Sequence, residues 1–386
     1  MRILHVLNSA DPENGGTVQA VREMSAHQAA LGYEVIVIST GRDDPPMSSQ
    51  GETWKVFPVQ WNAWKWSYAM QKAMPEIIRE ADIVHLHTVW EFPVYYGHAM
   101  SLRFDKPYVI SPHGMLDRWS LEQHALKKRI YLWRMGQSII AGAGAVHFTS
   151  RPEAERSRFM PMQDKAIVIP LGVTLSDFGN PDEKAFYHKF PKLSGNRFIL
   201  FLGRLHTKKR PDLAIRAYQK ISRDFKNHYF LMAGPGEVQD VLKLKKIVND
   251  YGLQNRVLFS GMLDRSLALA AYRQADLFVL SSRQENFGLS VAEAMASGCP
   301  VVVSPQVNLS EEIEKANAGM VVLPNEEAMA QSIRRLLQNS NLREQMGQNG
   351  RQLVFERFAW NKIILEYIEI YKNIIANHGL IEKSKS

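Results

Sequence analysis

Ser281-Ser282-Arg283-Gln284-Glu285-Asn286-Phe287-Gly288-Leu289-Ser290-Val291-Ala292-Glu293-Ala294-Met295-Ala296 follows the apolar run Leu277 to Leu280 and precedes Gly298-Cys299-Pro300. The apolar run reads as a strand buried on both faces, as in a parallel sheet. The small-residue segment reads as a helix that Gly298 and Pro300 stop. In a doubly wound α/β sheet, a strand–loop–helix junction of this kind lies at the carboxyl edge, where ligands bind. The unpaired N–H groups of a helix's first turn favour a phosphate or another anion. Glu285 lies in the loop and Glu293 two turns into the helix, and eight helical steps rise about 12 Å. Two carboxylates beside an anion site make sense if they grip hydroxyls at both ends of a ligand whose charged middle is held by amides and cations.

Upstream, Arg197 to Leu202 reads as a strand, followed by Gly203-Arg204-Leu205, then Lys209-Arg210-Pro211 and a helix through about Phe225. Arg204 and Lys209 put two cations on one loop. The arginine offers a planar fork and the lysine a mobile point charge, and both suit a diphosphate whose charge grows as it leaves. Strands are expected at Tyr229 to Ala233, Arg256 to Ser260, Val301 to Ser304 and Met320 to Leu323. Helices are expected near 326–338 and 341–356, and a final one over Phe358 to Asn377 has Ile363, Ile364, Tyr367, Ile368 and Tyr371 on its apolar side.

The first half shows the same alternation. Arg2 to Leu7 reads as a strand, and Gly15-Gly16 precedes a helix from about Thr17 to Leu31. A glycine pair there lets the backbone approach a ligand and leaves N–H groups free. It is not the GxGxxG fingerprint, so a nicotinamide or flavin cofactor is not expected. Glu34 to Thr40, Asp82 to His87, Pro107 to Pro112, Ala145 to Thr149 and Ala166 to Ile169 read as further strands. His85 and His87 share one strand face; a third ligand for a metal is not evident, so core or pocket-edge histidines are expected. His113-Gly114 stands at the carboxyl end of a strand. Trp61, Trp64, Trp66 and Tyr68 crowd one loop, as a satellite cluster or as a surface for an acceptor or membrane. His124 to Ile140 reads as a helix in which Lys127, Lys128, Arg129 and Arg134 alternate with Leu126, Ile130 and Trp133. Such a stretch is either an ordinary surface helix or one that lies on anionic lipid.

The 386 residues exceed one ordinary domain, and 45% apolar with 22% charged content supports two packed cores. The net charge of +8 is uneven. Residues 1–180 carry 18 basic and 18 acidic side chains, so the excess falls in the second half, as an anionic ligand there would favour. No nucleic-acid module is present. No run reaches the ~18 apolar residues of a membrane span. The first residues read as a strand rather than a signal peptide, and the single cysteine, Cys299, suits a reducing cytoplasm.

Glu-x7-Glu enclosing Asn286-Phe287-Gly288-Leu289, with Ala296-Ser297-Gly298-Cys299-Pro300 after it, resembles the signature of retaining glycosyltransferases of the GT-B fold, family 4. Gly15-Gly16, His113-Gly114, Pro170-Leu171-Gly172-Val173 and Gly203-Arg204-Leu205 with Lys209 are similar to further motifs of that family. Arg210 stands where the family often has glycine. The resemblance spans essentially the whole chain and is weakest over 41–75. It implies two Rossmann-like doubly wound domains facing a cleft, with the C-terminal helix crossing back to the first. The domains would be 1–178 with 358–386 on the acceptor side, a polar linker at 179–196, and 197–357 for the nucleotide sugar.

In that frame Arg204 and Lys209 hold the diphosphate, Glu285 the donor-sugar hydroxyls, and Glu293 the ribose. His113 meets the sugar, at its C6 hydroxyl, and the transition state. Gly15, Gly16, Asn286, Phe287, Gly288 and Leu289 line the substrate. No metal is expected; the Asp43-Asp44 pair is unsupported as a metal motif. The donor is a UDP-, GDP- or ADP-hexose and the acceptor a hydroxyl of a glycan or lipid-linked glycan, with peripheral contact to an anionic membrane. A sugar phosphorylase or nucleotide-sugar epimerase of the same fold, or a non-catalytic sugar-nucleotide-binding protein, stays open. Substituting either glutamate is expected to leave folding nearly unaffected.

Overall fold

The computed structural model describes residues 1–11, 15–41, 50–179 and 181–383. The Asp43-Asp44 pair and Pro12 to Asn14 of the first loop lie outside them. Two compact units emerge, one of Met1–Gly172 with Trp360–Ser386 and one of Val173–Ala359.

The first unit holds a parallel sheet of β1 (Arg2–Leu7), β2 (Glu34–Thr40), β3 (Thr53–Phe57), β4 (Ile83–His87), β5 (Tyr108–Ser111), β6 (Ala145–Phe148) and β7 (Ala166–Val168). Their order is β3-β2-β1-β4-β5-β6-β7. The second holds β8 (Arg197–Leu202), β9 (His228–Ala233), β10 (Val257–Gly261), β11 (Leu277–Leu280), β12 (Val301–Val303) and β13 (Gly319–Val321), in the order β10-β9-β8-β11-β12-β13. Both are doubly wound. The order reverses between β1 and β4 in one sheet and between β8 and β11 in the other, and such reversals open a crevice at the carboxyl ends. The central strands are buried on both faces: Ile3, Val6, Val84 and Leu86 in one unit, and Ile199, Leu200, Phe278 and Val279 in the other, are shielded from solvent. That is why they read as unbroken apolar runs.

Three expectations change. The stretch taken as a linker, 179–196, carries a two-turn helix, Glu183–Lys189, whose Phe186 is fully buried and stacks on Phe198. Polar composition there reflects the helix's solvent side. The helix expected over His124 to Ile140 runs as Ala125–Tyr131, a π turn at Leu132–Gly136 and Gln137–Ala141. The π turn rotates the face, so Leu132, Ile139 and Ile140 are buried while Leu126, Ile130 and Trp133 are not. Strand β3 and the helices Tyr68–Glu80 and Phe92–Arg103 were not expected. Pro75, inside the first of these helices, weakens its periodic signal.

The last helix spans Trp360–Lys383 and belongs to the first unit, where it packs on the helix Gly16–Ala30. Ile363, Ile364, Tyr367, Ile368 and Tyr371 are its buried side.

Candidate active site

The second unit's reversal point carries the paired charges. The loop after β8 and the loop after β11 are tied together: Arg283 N–H donates to the Lys208 carbonyl at 2.8 Å, and the Ser281 hydroxyl to the Arg210 carbonyl at 2.7 Å. This brings Lys209 into an ion pair with Glu285, and both side chains are largely buried. Glu285 is also held by backbone, its N–H donating to the Gln306 carbonyl at 3.0 Å. Arg204 lies exposed on the same β8 loop.

The helix Leu289–Ala296 begins at the crevice. Its N-cap is Gly288, at φ 92°, with no side-chain cap and no acidic residue in the first turn. Any other residue at 288 would be strained there, and its Cβ would come within 3.2 Å of Val307. The Ser290 hydroxyl, in the same turn, is buried without a hydrogen-bond partner. An uncapped helix start, a buried orphan hydroxyl and nearby cations together suit an anionic ligand. Phe287 is 2% exposed and packs edge-on against Phe358 at 5.5 Å. Its ring is therefore packing, and only its backbone is left for a ligand.

Glu293 is more firmly held than expected. Its carboxylate accepts from the Arg265 guanidinium and, at 3.1 Å, from the buried Tyr272 hydroxyl, and Arg265 reaches Asp177 at 3.0 Å. Burial works against the charge on Arg265, and Glu293 with Asp177 more than offsets it, so its pKa is raised. Burial, then Glu293, pushes the Tyr272 hydroxyl well up. Glu293 is thus a structural node as well as a candidate ligand, which corrects the expectation that its loss would spare folding. Two bonds leave a carboxylate acceptor sites to spare. Arg265 and Tyr272 went unnoticed because nothing local marks them.

Arg210 adopts the left-handed conformation, φ 52°, at the start of the helix Pro211–Ile221. This explains why glycine would suit the position and why an arginine there carries strain. Cys299 is buried, and that burial pushes its thiol pKa up, so it is inert.

In the first unit, Gly15, at φ 65°, caps the helix Gly16–Ala30 beyond β1, and its first turn has no acidic residue. His113 and Gly114 follow β5, both with positive φ, 51° and 74°. A left-handed histidine persists only where its surroundings over-determine it. Here Gly114 N–H donates to Glu153 at 2.6 Å, and the His113 ring bonds His87 at 3.1 Å. Glu153 is 1% exposed and also accepts from the Thr149 N–H and hydroxyl, each at 2.9 Å. Burial raises its carboxyl to about 7, with the three donors pulling the other way. Sequence reading missed Glu153, although Ser150, the N-cap of its short helix, is visible locally. Glu153→Ala removes the acceptor of all three donors. It is expected to lower stability by about 3 kcal/mol, read as a shift in the urea midpoint; an unchanged midpoint would show that the loop does not depend on this carboxylate.

His85 and His87 gain a third histidine, His5, from the neighbouring strand β1. Their ligand atoms lie within 4.8 Å of one another, close enough to raise a metal centre. Each of the six ring nitrogens has a hydrogen-bond partner, and His5 Nδ1 and His87 Nε2 pair with each other.

The tryptophan loop divides. Trp64 packs against Tyr131 at 5.8 Å, and Tyr131 against Trp90 at 5.2 Å, while Trp61 and Tyr68 are about three-fifths exposed, at 60% and 62%. Tyr131 belongs to the basic helix, where Leu126 and Trp133 are 72% and 70% exposed. The aromatic loop and the basic helix thus share one surface. No helix among the described residues is long and apolar enough to cross a membrane.

The model of "Glycosyl transferases group 1" matches residues 182–353, and that of "Glycosyltransferase Family 4" matches 14–177. An uncharacterized glycosyltransferase of Methanocaldococcus jannaschii is 28% identical over 88% of this chain and 90% of its own. A GDP-mannose:cellobiosyl-diphosphopolyprenol alpha-mannosyltransferase of Xanthomonas oryzae is 23% identical over 97% of each. Among solved structures, Anabaena Alr3699/HepE in complex with UDP and glucose superposes with a TM-score of 0.81 at 17% identity, over 97% of this chain and 100% of that one.

Proposed function

Because this chain belongs to the family 4 glycosyltransferases of GT-B fold, we propose that it moves a hexose from a nucleotide diphosphate to a hydroxyl of a glycan or lipid-linked glycan, with retention at the anomeric carbon. The observation that carries this reading is the β8–β11 reversal point, where an uncapped helix start, the Lys209–Glu285 pair and the Arg204 loop converge. The diphosphate takes the helix N-terminus and the two cations, which neutralise its growing charge as it leaves. Glu285 binds sugar hydroxyls at the sugar–phosphate junction, and the ribose meets the remaining acceptor sites of Glu293. His113 hydrogen-bonds the donor sugar. The leaving phosphate takes the acceptor's proton, so no enzymic nucleophile is required.

The base is left to experiment. A thermal-shift screen against UDP-, GDP- and ADP-sugars reads it directly, since a ligand stabilises by RT ln(1 + [L]/Kd). Stabilisation by none of the three would overturn the reading, and consumption of donor without acceptor, yielding an epimer, would favour an epimerase instead. Transfer is expected to persist in EDTA, because the chain supplies its own cations. Loss on chelation with recovery in Mg²⁺ or Mn²⁺ would refute this.

The Xanthomonas relative's name specifies a diphosphopolyprenol-linked acceptor, which supports a lipid-borne acceptor here. The exposed Leu126, Ile130 and Trp133, at helical spacing among Lys127, Arg129 and Arg134, fit the surface of an anionic bilayer. That fit supports a peripheral enzyme on an anionic membrane surface, which for a cytoplasmic protein is the inner face. Co-sedimentation with phosphatidylglycerol vesicles, lost in Trp133→Glu, is the expected result; equal binding to neutral vesicles would refute it.

A further inference from the structure

The interior of the first unit contains a continuous hydrogen-bonded chain of five histidines that the proposed chemistry does not use. It begins at the Ile169 carbonyl, which can only accept, and His147 Nε2 lies 2.8 Å from it. His147 Nε2 therefore carries the proton, and Nδ1 must accept, from the Ser111 hydroxyl at 2.6 Å. With its proton so committed, the Ser111 oxygen accepts from His85 Nε2–H at 2.7 Å. His85 Nδ1 then accepts from the Tyr371 hydroxyl at 2.5 Å, and the Tyr371 oxygen accepts from the Gln28 amide nitrogen at 3.5 Å, the longest link.

That sets Gln28 with its oxygen toward His5, whose Nε2–H donates to it at 2.7 Å. His5 Nδ1 accepts from His87 Nε2–H at 2.9 Å, and His87 Nδ1 accepts from His113 Nε2–H at 3.1 Å. The Tyr367 hydroxyl, 2.8 Å from His147 Nε2, is compatible as a second acceptor of the same proton. Burial keeps all five rings neutral, as this logic requires. It lowers His5 and His147 to about 4 and His113 to about 3, and His85 and His87 fall well below the usual histidine value.

We infer that this chain is a wire of one polarity, in which a backbone carbonyl far from the loop fixes the tautomer of His113, leaving its Nδ1 as an acceptor for a ligand hydroxyl. His5, His85, His87, His147, Gln28, Ser111 and Tyr371 are positioning residues that act through His113. The consequence is chemical selectivity. An Nδ1 lone pair accepts from a sugar hydroxyl and repels a carboxylate, so a neutral hexose is favoured over a uronic acid at that contact. This selectivity rests on the reading of His113 as a donor-sugar contact; the wire itself does not.

The test is long-range ¹H–¹⁵N correlation on the full chain labelled with ¹⁵N-histidine, which distinguishes protonated from bare ring nitrogens. All five rings are expected as neutral Nε2–H tautomers at pH 7. Tyr371→Phe cuts the anchor of Gln28, whose amide can then turn. His5, His87 and His113 are expected to exchange between tautomers together and in equal proportion, and loss of half the competent form raises KM for the donor about twofold. Ser111→Ala breaks the wire earlier, on the other side of His85, and serves if Tyr371→Phe does not fold. An Nδ1–H His113 in the wild type, different tautomers on the three rings, or a folded variant with unmoved tautomers would each overturn the wire. If the tautomers are as expected but 6-hydroxy, 6-deoxy and 6-carboxy donors bind equally, the wire stands and the sugar contact of His113 falls.

Discussion

Lys209→Ala is expected to lower turnover about a hundredfold. Its ammonium sits at the β8–β11 reversal point against Glu285, on a loop pinned by the Arg283–Lys208 and Ser281–Arg210 bonds. A cation so placed needs little reorganisation when a departing diphosphate gains charge, and loss of one preorganised partner of this kind costs about 3 kcal/mol of barrier. The variant also leaves the Glu285 carboxylate unpaired beside an anionic donor, so KM rises as well. Arg204→Ala is expected to act in the same direction. The double variant Lys209→Ala/Glu285→Ala separates the two effects, because removing the unpaired carboxylate relieves its repulsion of the free diphosphate without restoring turnover. Wild-type turnover in both single cation variants would sink the diphosphate assignment.

Glu293→Ala is expected to weaken the free nucleoside diphosphate and, unlike Glu285→Ala, to destabilise the fold. It strips the Tyr272 hydroxyl of its acceptor and leaves Arg265 with Asp177 alone. Orphaning a buried hydroxyl and half of a partly buried ion network costs about 2–3 kcal/mol. Glu285→Ala removes a carboxylate from the sugar side. It is expected to penalise the intact donor far more than the diphosphate, by about 1.5–3 kcal/mol in calorimetry. Glu293→Gln keeps the volume and one acceptor, so it separates binding from folding. Equal weakening of free diphosphate in both glutamate variants would mean that the ligand is not gripped at its two ends.

The local grammar of this chain was legible without coordinates. Leu277–Leu280 announces a buried parallel strand because both faces are covered, and Gly288 with Gly298 brackets the helix behind it. Glu285, Lys209 and His113 could be singled out because each stands on a loop after an apolar run and matches a motif of the family that the chain resembles. Composition misled at 179–196, where one phenylalanine, Phe186, anchors a helix in an otherwise polar stretch. Periodicity misled at 124–140, where a π turn exchanged the buried face.

The sequence by itself determined every strand but β3, and which charges stand on the loops that follow them. These are consequences of backbone sterics and burial within a few residues. Strand order, and everything that depends on it, was decided only in the tertiary structure. Lys209 meets Glu285 across 76 residues because β8 and β11 are neighbours, and Glu293 meets Arg265 and Tyr272 because their helices pack side by side. His5, His85 and His147 join one wire because β1, β4 and β6 lie in one sheet and Tyr367 and Tyr371 close over it. Such contacts depend on which distant surfaces bury the most apolar area together, and no window of neighbouring residues encodes that choice.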